Sequence, residues 1–355
     1  MSNTVQTAVI GVTGYAGAEL ARLLLHHPRL KGTPPVFAGR MDERDEERGG
    51  IPLGEIHPEL ADSKGSGTLR LQPFSWELLA DIDVQVLFLA TPHEQSRAWV
   101  PEALSRGIRV IDLSGAWRLK EAANRAVYAF EDEGSAQAEE IQEQAVYGMP
   151  ELHRRAIAGA KLVANPGCYA TSVILALKPL VTAGLVDTEH GIVADAKSGV
   201  SGAGKAATPK THFMHAADNL SAYGVFTHRH TGELLEQIDI GAESMIFTPH
   251  LLPIPRGILS TIYVKFRAPQ KRGNLVHAYR AFFGHSPMVR LHEHGLPQIQ
   301  HVVRTNYADI GFQLSPDGTR AVIVSCLDNL LKGASSQAVQ NLNVMLGWEE
   351  SEGLE

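Results

Sequence analysis

Cysteine is nearly absent from this chain: two residues in 355, Cys168 and Cys326. That scarcity excludes a disulfide framework and suits a reducing cytoplasm. Neither cysteine falls in a CxxC or Cys/His spacing, so no zinc or other metal site is expected. A basic surplus is missing too. With 39 acidic against 32 basic side chains the formal charge is −7, and nothing resembles the cationic stripe a nucleic-acid partner requires. No run approaches the ~18 uninterrupted apolar residues of a membrane helix. The start, Met1 to Thr7, has neither the charged residues nor the apolar core of a signal peptide. No internal repeat or low-complexity segment interrupts the chain.

What is present is an ordinary globular composition, 44% hydrophobic and 20% charged, long enough for two domains at roughly 150 residues each. Short apolar runs alternate with helical stretches in the first part: Thr7–Ile10, Pro35–Ala38, Val84–Ala90 and Ile108–Leu113. Such alternation predicts βαβ units and an α/β, Rossmann-type doubly wound parallel sheet. After about Pro150 longer connections separate strand-like runs at Gly191–Ala196, Ser244–Thr248, Ser260–Phe266 and Arg320–Cys326. We read residues 1–150 as a dinucleotide domain, completed by a C-terminal helical segment 328–355. Residues 151–327 form an α+β catalytic and dimerisation domain with a mixed or antiparallel sheet. The acidic tail, Glu349 to Glu355, is expected to be solvated and frayed.

Gly11, Gly14 and Gly17 follow the first strand and open a helix, with Thr13, Tyr15 and Ala16 between them. Glycines there allow a tight turn and let backbone N–H groups reach a pyrophosphate at the helix start. The spacing is GxxGxxG, and a purely structural turn is the plainer alternative. At the end of the second strand stands Arg40, with no carboxylate before Asp42. An arginine in this place accommodates a 2′-phosphate, which favours NADP(H); an ion pair with Asp42 or Glu43 is the competing role.

The segment Asn165-Pro166-Gly167-Cys168 runs into an apolar helix. A turn delivers the cysteine to a helix N-terminus, where the dipole is expected to lower the thiol pKa and favour the reactive thiolate. A small buried residue is the bland alternative. His228 and His230 are candidate proton carriers, since imidazole titrates near neutrality. On a strand they would share a face; across a turn only one would reach the cysteine. Arg229 between them is a weaker candidate for a substrate carboxylate. The loop from Ser198 through Gly199 and Ser201 to Lys205 offers hydroxyls, backbone N–H groups and a cation, an expected anion nest. Arg256, preceded by Pro253 and Pro255, could grip a carboxylate or phosphate or form a surface ion pair. Asn329 is placed to meet a nicotinamide amide or to cap the following helix. Cys326, in an apolar strand, is core.

Taken in order, these motifs, with Asp112-Leu113-Ser114, Arg118-Leu119, Tyr147-Gly148-Met149-Pro150-Glu151 and Asp328-Asn329-Leu330-Leu331-Lys332-Gly333-Ala334, resemble the N-acetyl-gamma-glutamyl-phosphate reductase family over nearly the whole length. That family is similar in plan to aspartate-semialdehyde and glyceraldehyde-3-phosphate dehydrogenases. The resemblance implies NADPH-dependent reduction of a small anionic acyl phosphate to an aldehyde in arginine biosynthesis, in a cytoplasmic homodimer or homotetramer. It implies Cys168 as nucleophile through a thioester and His228 as acid/base partner, with His230 the other possibility. Cofactor contacts then extend to Ser114, Ser198, Gly199 and Asn329, and substrate contacts to Arg118, Ser201, Lys205 and Arg256. Two residues depart from the family pattern: Lys205 replaces a common Arg and Gly232 a usual Pro. Alternatives are reduction of a carrier-linked aminoadipyl phosphate in lysine biosynthesis, an aldehyde dehydrogenase that hydrolyses its thioester, and a non-catalytic NADP-binding regulatory protein.

Overall fold

The structure, a computed structural model, describes residues 4–61 and 69–355. Thr7–Ile10 is a four-residue apolar strand, too short for a helix and buried throughout. It lies in the middle of a sheet that has eight strands among the described residues. Val36–Gly39 pairs with it in parallel on one side and Val86–Leu89 on the other. The chain order therefore reverses at this strand, and the carboxyl ends of its neighbours splay to leave a crevice. Arg109–Asp112, Leu162–Ala164 and Val146–Tyr147 extend the parallel run, and Arg70–Pro73 lies beyond Val36–Gly39. One antiparallel edge strand, Ile51–Pro52, closes the far side.

The second sheet has seven strands among the described residues and is mixed. Ile192–Gly199 pairs in parallel with Met245–Leu252 and antiparallel with Ile258–Lys265. Alternating burial along Ile258–Lys265 shows one face packed and one open. The packed face receives the helix Cys168–Thr182, whose residues from Tyr169 to Leu177 are all buried. A helix apolar all round belongs inside a core. It is covered by the helix His230–Ile238 on one side and the sheet on the other.

The terminal helix Ser336–Met345 packs on the first domain and is buried at every residue although half its side chains are polar. All of those polar residues but Ser336 hydrogen-bond to protein partners. Asn341 Nδ2 donates to the Gly148 carbonyl and to Asn165 Oδ1, and Gln337 donates to Gly148. The tail that follows corrects the expectation of a solvated end. Leu354 is buried, Trp348 stacks on His27, and Arg29 grips Glu352 with Nε. Asn343 Nδ2 also donates to the carbonyls of Glu350 and Glu352. The acidic residues there are pairing groups, which composition alone does not reveal.

Candidate active site

The Asn-Pro-Gly turn ends at Gly167, the N-cap of the helix that opens at Cys168. Two cavities meet at this cysteine. The first, about 390 Å³, is lined by Gly14 to Gly17, the Ala90–His93 turn, Ser114, Asn329 and Gly333 as well as Cys168 and His230. The second, about 530 Å³, is lined by Cys168, Tyr169, Ser198, Lys210, Tyr223 and both histidines. Arg229 borders both.

The first cavity fits a dinucleotide. The helix Tyr15–His26 begins with Gly14 as N-cap and no side-chain cap, so its first N–H groups remain available to an anion. Gly11 has φ +95°, and a Cβ on it would stand 2.3 Å from the Ala90 carbonyl oxygen. A Cβ on Gly17 would stand 2.2 Å from the Gly11 carbonyl oxygen. These two glycines make the turn; Gly14, Tyr15 and Ala16 face the cavity. Thr13 is exposed, and its carbonyl accepts from Lys205 Nζ at 3.1 Å. Arg40 is exposed at the end of Val36–Gly39 and makes no ion pair with Asp42 or Glu43. Ser114 is tied to the fully buried Asp112, whose carboxyl burial pushes above its usual range.

The Ser198–Lys205 loop is built differently from the expected anion nest. The N–H groups of Gly199, Val200 and Ser201 donate to Gly257, Ile254 and Pro255, and so are already paired. Asn329 is locked at both ends of its amide: Oδ1 accepts from Gly257 N–H and Nδ2 donates to Ser201 Oγ. Ser201 and Lys205 accordingly line the glycine-loop cavity, and Ser198 lines the other along with Gly199. Arg256 does not reach Cys168's cavities; it is held between Glu19 and Asp328. Arg118 is buried and donates to the Asn165 and Leu113 carbonyls and to Glu233. Cys326 is fully buried among Val302 and Val324, as a core residue should be.

The histidines sit on a turn that enters the helix His230–Ile238, with Arg229 as its N-cap. Their rings are edge to face, 4.6 Å between centroids. His228 Nδ1 accepts from the His230 backbone N–H at 3.1 Å, which leaves the proton of a neutral ring on Nε2. His230 is pressed against the nucleophile's turn: a Cβ on Gly167 would lie 2.3 Å from His230 Nε2. Burial, then the nearby Arg229, pull His228 down to about 4. Burial, His228 and the two arginines hold His230 well below the usual range.

The thiol also departs from expectation. Burial pushes Cys168 up to about 11, and the Tyr169 N–H and the Arg118 charge only partly offset this. The resting pair is therefore neutral thiol and neutral imidazole. Alkylation of the free protein by iodoacetamide should accordingly rise about tenfold per pH unit from roughly pH 8 to 10, because only thiolate reacts. A plateau near neutrality would instead show a preformed ion pair.

Tyr147 and Glu233, given no role by the sequence, lie at the centre of the arrangement. Glu233 is fully buried and accepts from Tyr147 OH, Gly167 N–H and Arg118. The available signal was its spacing of three from His230 at the start of one helix, which puts both on one face.

Comparison with known proteins bears on the fold and the family. Residues 6–160 match the model of the semialdehyde dehydrogenase NAD binding domain, and residues 168–329 that of the semialdehyde dehydrogenase dimerisation domain. The N-acetyl-gamma-glutamyl-phosphate reductase of Geobacillus stearothermophilus is 42% identical over 351 residues, 98% of this chain and 97% of that one. That of Methanococcus maripaludis strain C6 is 40% identical over 352 residues, with the same coverage. Among solved structures, aspartate semialdehyde dehydrogenase II of Vibrio cholerae, complexed with ASA, superposes with TM-score 0.68 at 18% identity, covering 97% of this chain and 99% of that one. Aspartate semialdehyde dehydrogenase of Candida albicans with NADP gives 0.66 at 14%, covering 97% and 98%.

Proposed function

The chain belongs to the N-acetyl-gamma-glutamyl-phosphate reductase family, and on that premise we propose that it reduces N-acetylglutamyl 5-phosphate to the 5-semialdehyde with release of phosphate, in arginine biosynthesis. The observation that carries this reading is the meeting of two cavities at Cys168, one edged by the glycine loop and the other by the histidine pair. Relatives at about 40% identity over 98% of the chain bear the glutamyl name, which favours that substrate over the aminoadipyl one. NADP(H) is the preferred cofactor; Arg40 would meet its 2′-phosphate and Gly14 to Gly17 its pyrophosphate.

In this reading His230 takes the Cys168 proton as the sulfur attacks the acyl carbon. The C–O bond to phosphate breaks, phosphate leaves, and a thioester remains on Cys168. NADPH, held along Gly14 to Gly17, would supply the hydride that reduces the thioester carbon. Collapse of the resulting tetrahedral adduct returns the thiol, with the histidine proton restored to sulfur. His228, with Nε2–H free, donates a hydrogen bond to the acyl oxygen as negative charge develops there. Arg229 is the uncommitted guanidinium at the junction of the cavities; it stacks at 5.7 Å over Tyr128 and has no ion-pair partner among the described residues. It suits an anionic group of the substrate. An incoming phosphate dianion also counteracts the arginines that keep the imidazoles neutral, so binding itself eases the first proton transfer.

A region matching a dimerisation domain supports a homodimer or homotetramer. No helix among the described residues is long and apolar enough to cross a membrane, and a cytoplasmic location is the proposed setting. The reaction is tested in reverse: NADP⁺ and N-acetylglutamate 5-semialdehyde should yield NADPH only when inorganic phosphate is added. Formation of NADPH without phosphate would instead indicate an aldehyde dehydrogenase that hydrolyses its thioester.

A further inference from the structure

The proton transfer in that reading needs a partner for the imidazolium it creates, and the surroundings of His230 are largely hostile to a cation. His228 and Arg229 face it from its own turn, Arg118 from the loop after Arg109–Asp112, and the thiol of Cys168 and phenol of Tyr169 from the nucleophile's helix. Among the described residues one carboxylate lies within ion-pair distance of either histidine: Glu233, whose Oε1 is 4.0 Å from His230 Nε2. Its two oxygens have different neighbours. Oε2 accepts from Tyr147 OH at 2.7 Å and from the Gly167 N–H at 2.9 Å. Oε1 is shared between Arg118 at 3.1 Å and His230. The other ring nitrogen of His230, Nδ1, is buried without a protein partner.

We propose that Glu233 is a positioning residue for the reaction, clamping the turn that carries Cys168 through Oε2 and receiving His230 Nε2–H through Oε1 when that ring takes the thiol proton. The proton leaves sulfur and arrives on Nδ1, the nitrogen with no other partner. Nε2–H then closes on Glu233, which loosens its hold on Arg118. One carboxylate thus ties the placement of the nucleophile to the charge state of its base. This deepens the acyl-phosphate reading and rests on it for the identity of the reaction, though the titration described below does not.

Glu233→Gln and Tyr147→Phe separate this role from simple structural support. Glu233→Gln removes the negative charge, so His230 becomes harder to protonate. Its ¹³C-histidine NMR titration and the acid limb of kcat/KM should both move about one pH unit downward. Turnover should fall about 10–100-fold, with the Kd for NADPH within about twofold of wild type. Tyr147→Phe withdraws a hydrogen bond from the carboxylate and leaves it more charge to offer, so both readouts should move upward. A structural role would lower activity in both variants without opposite displacements. If Glu233→Gln does not fold, because Arg118 is left unpaired, the Tyr147→Phe displacement decides alone. An unmoved or downward His230 titration in Tyr147→Phe overturns the proposal. The expected titrations in a protein whose wild type makes no phosphate-dependent NADPH would overturn the function and leave the Glu233 coupling intact.

Discussion

Cys168→Ser should lower phosphate-dependent NADPH formation by at least about 10³-fold while leaving NADPH affinity within about twofold. The size follows from the chemistry of the two nucleophiles. A serine hydroxyl is a far weaker acid than a thiol, and the histidines here are held neutral by burial and neighbouring cations. They are too weakly basic to generate an alkoxide, and loss of a covalent nucleophile typically removes most of the rate. The change is small in volume and retains Cβ, the atom against which Gly333 packs so closely that a Cβ there would sit at 2.7 Å. The fold and the glycine loop should therefore be undisturbed. Cys326 offers no substitute, because it is fully buried in its strand and burial pushes its thiol up to about 12. Activity within about tenfold of wild type in Cys168→Ser would remove Cys168 from the nucleophile's role and with it the thioester route. Loss of activity together with loss of NADPH binding would point to misfolding, which a thermal melt identifies.

The parts of this molecule that were legible in the sequence are those fixed by local rules. Thr7–Ile10 and its glycine loop could be read because a buried parallel strand is a continuous apolar run and a φ of +95° at Gly11 calls for glycine. The helix at Cys168 could be read because Asn-Pro-Gly precedes an apolar stretch. Ala308–Leu314 is not legible as a strand because Gly311 interrupts its apolar pattern. That glycine is there so the Gly295–Pro297 loop can lie on the strand, a Cβ being only 2.8 Å from Pro297 Cδ. The thiol departs from its local expectation for a related reason. The helix dipole is a local property and was visible; the desolvation that outweighs it comes from elements distant in sequence, among them the segment at Gly333. Arg118 and Arg256 illustrate the same limit. A sequence shows two cations suited to an anionic substrate, yet Glu233, Glu19 and Asp328 already hold them. Arg229, the weaker candidate in the sequence, borders both cavities and has no ion-pair partner among the described residues.

Lys332→Met should destabilise the protein by about 3–5 kcal/mol, the usual cost of leaving one member of a buried ion pair alone. Lys332 and Glu151 are both fully buried, with Nζ 2.7 Å from Glu151 Oε1. Gln340 joins them, accepting from Nζ at 2.5 Å and donating to Glu151 and Glu350. Methionine matches the lysine stem in length but supplies no charge, so Glu151 would face the interior with only the amide of Gln340. Replacing both members, Lys332→Met with Glu151→Leu, should recover much of the loss, since the desolvation cost of the pair disappears with it. The pH dependence gives an independent sign. In the wild type burial alone would raise the Glu151 carboxyl, but the Lys332 ammonium prevails and holds it below its ordinary value. Stability from that group is present above the unfolded carboxylate pKa, about 4.3, and declines as acid protonates it in the fold. Without Lys332 burial dominates and the folded pKa rises above the unfolded one. Acidification from about pH 7 to 5 should then stabilise Lys332→Met relative to wild type. Urea unfolding at the two pH values reads both slopes, and parallel slopes would show that the pair is not ionised in the fold. A catalytic loss should accompany the structural one. Lys332 anchors the π-helical turn Leu331–Ser335, which sets Gly333 against Cys168 and gives Asn165 Nδ2 the Ala334 carbonyl. Slackening that turn loosens the wall on which the nucleophile rests, so kcat should fall in the folded variant even where NADPH still binds.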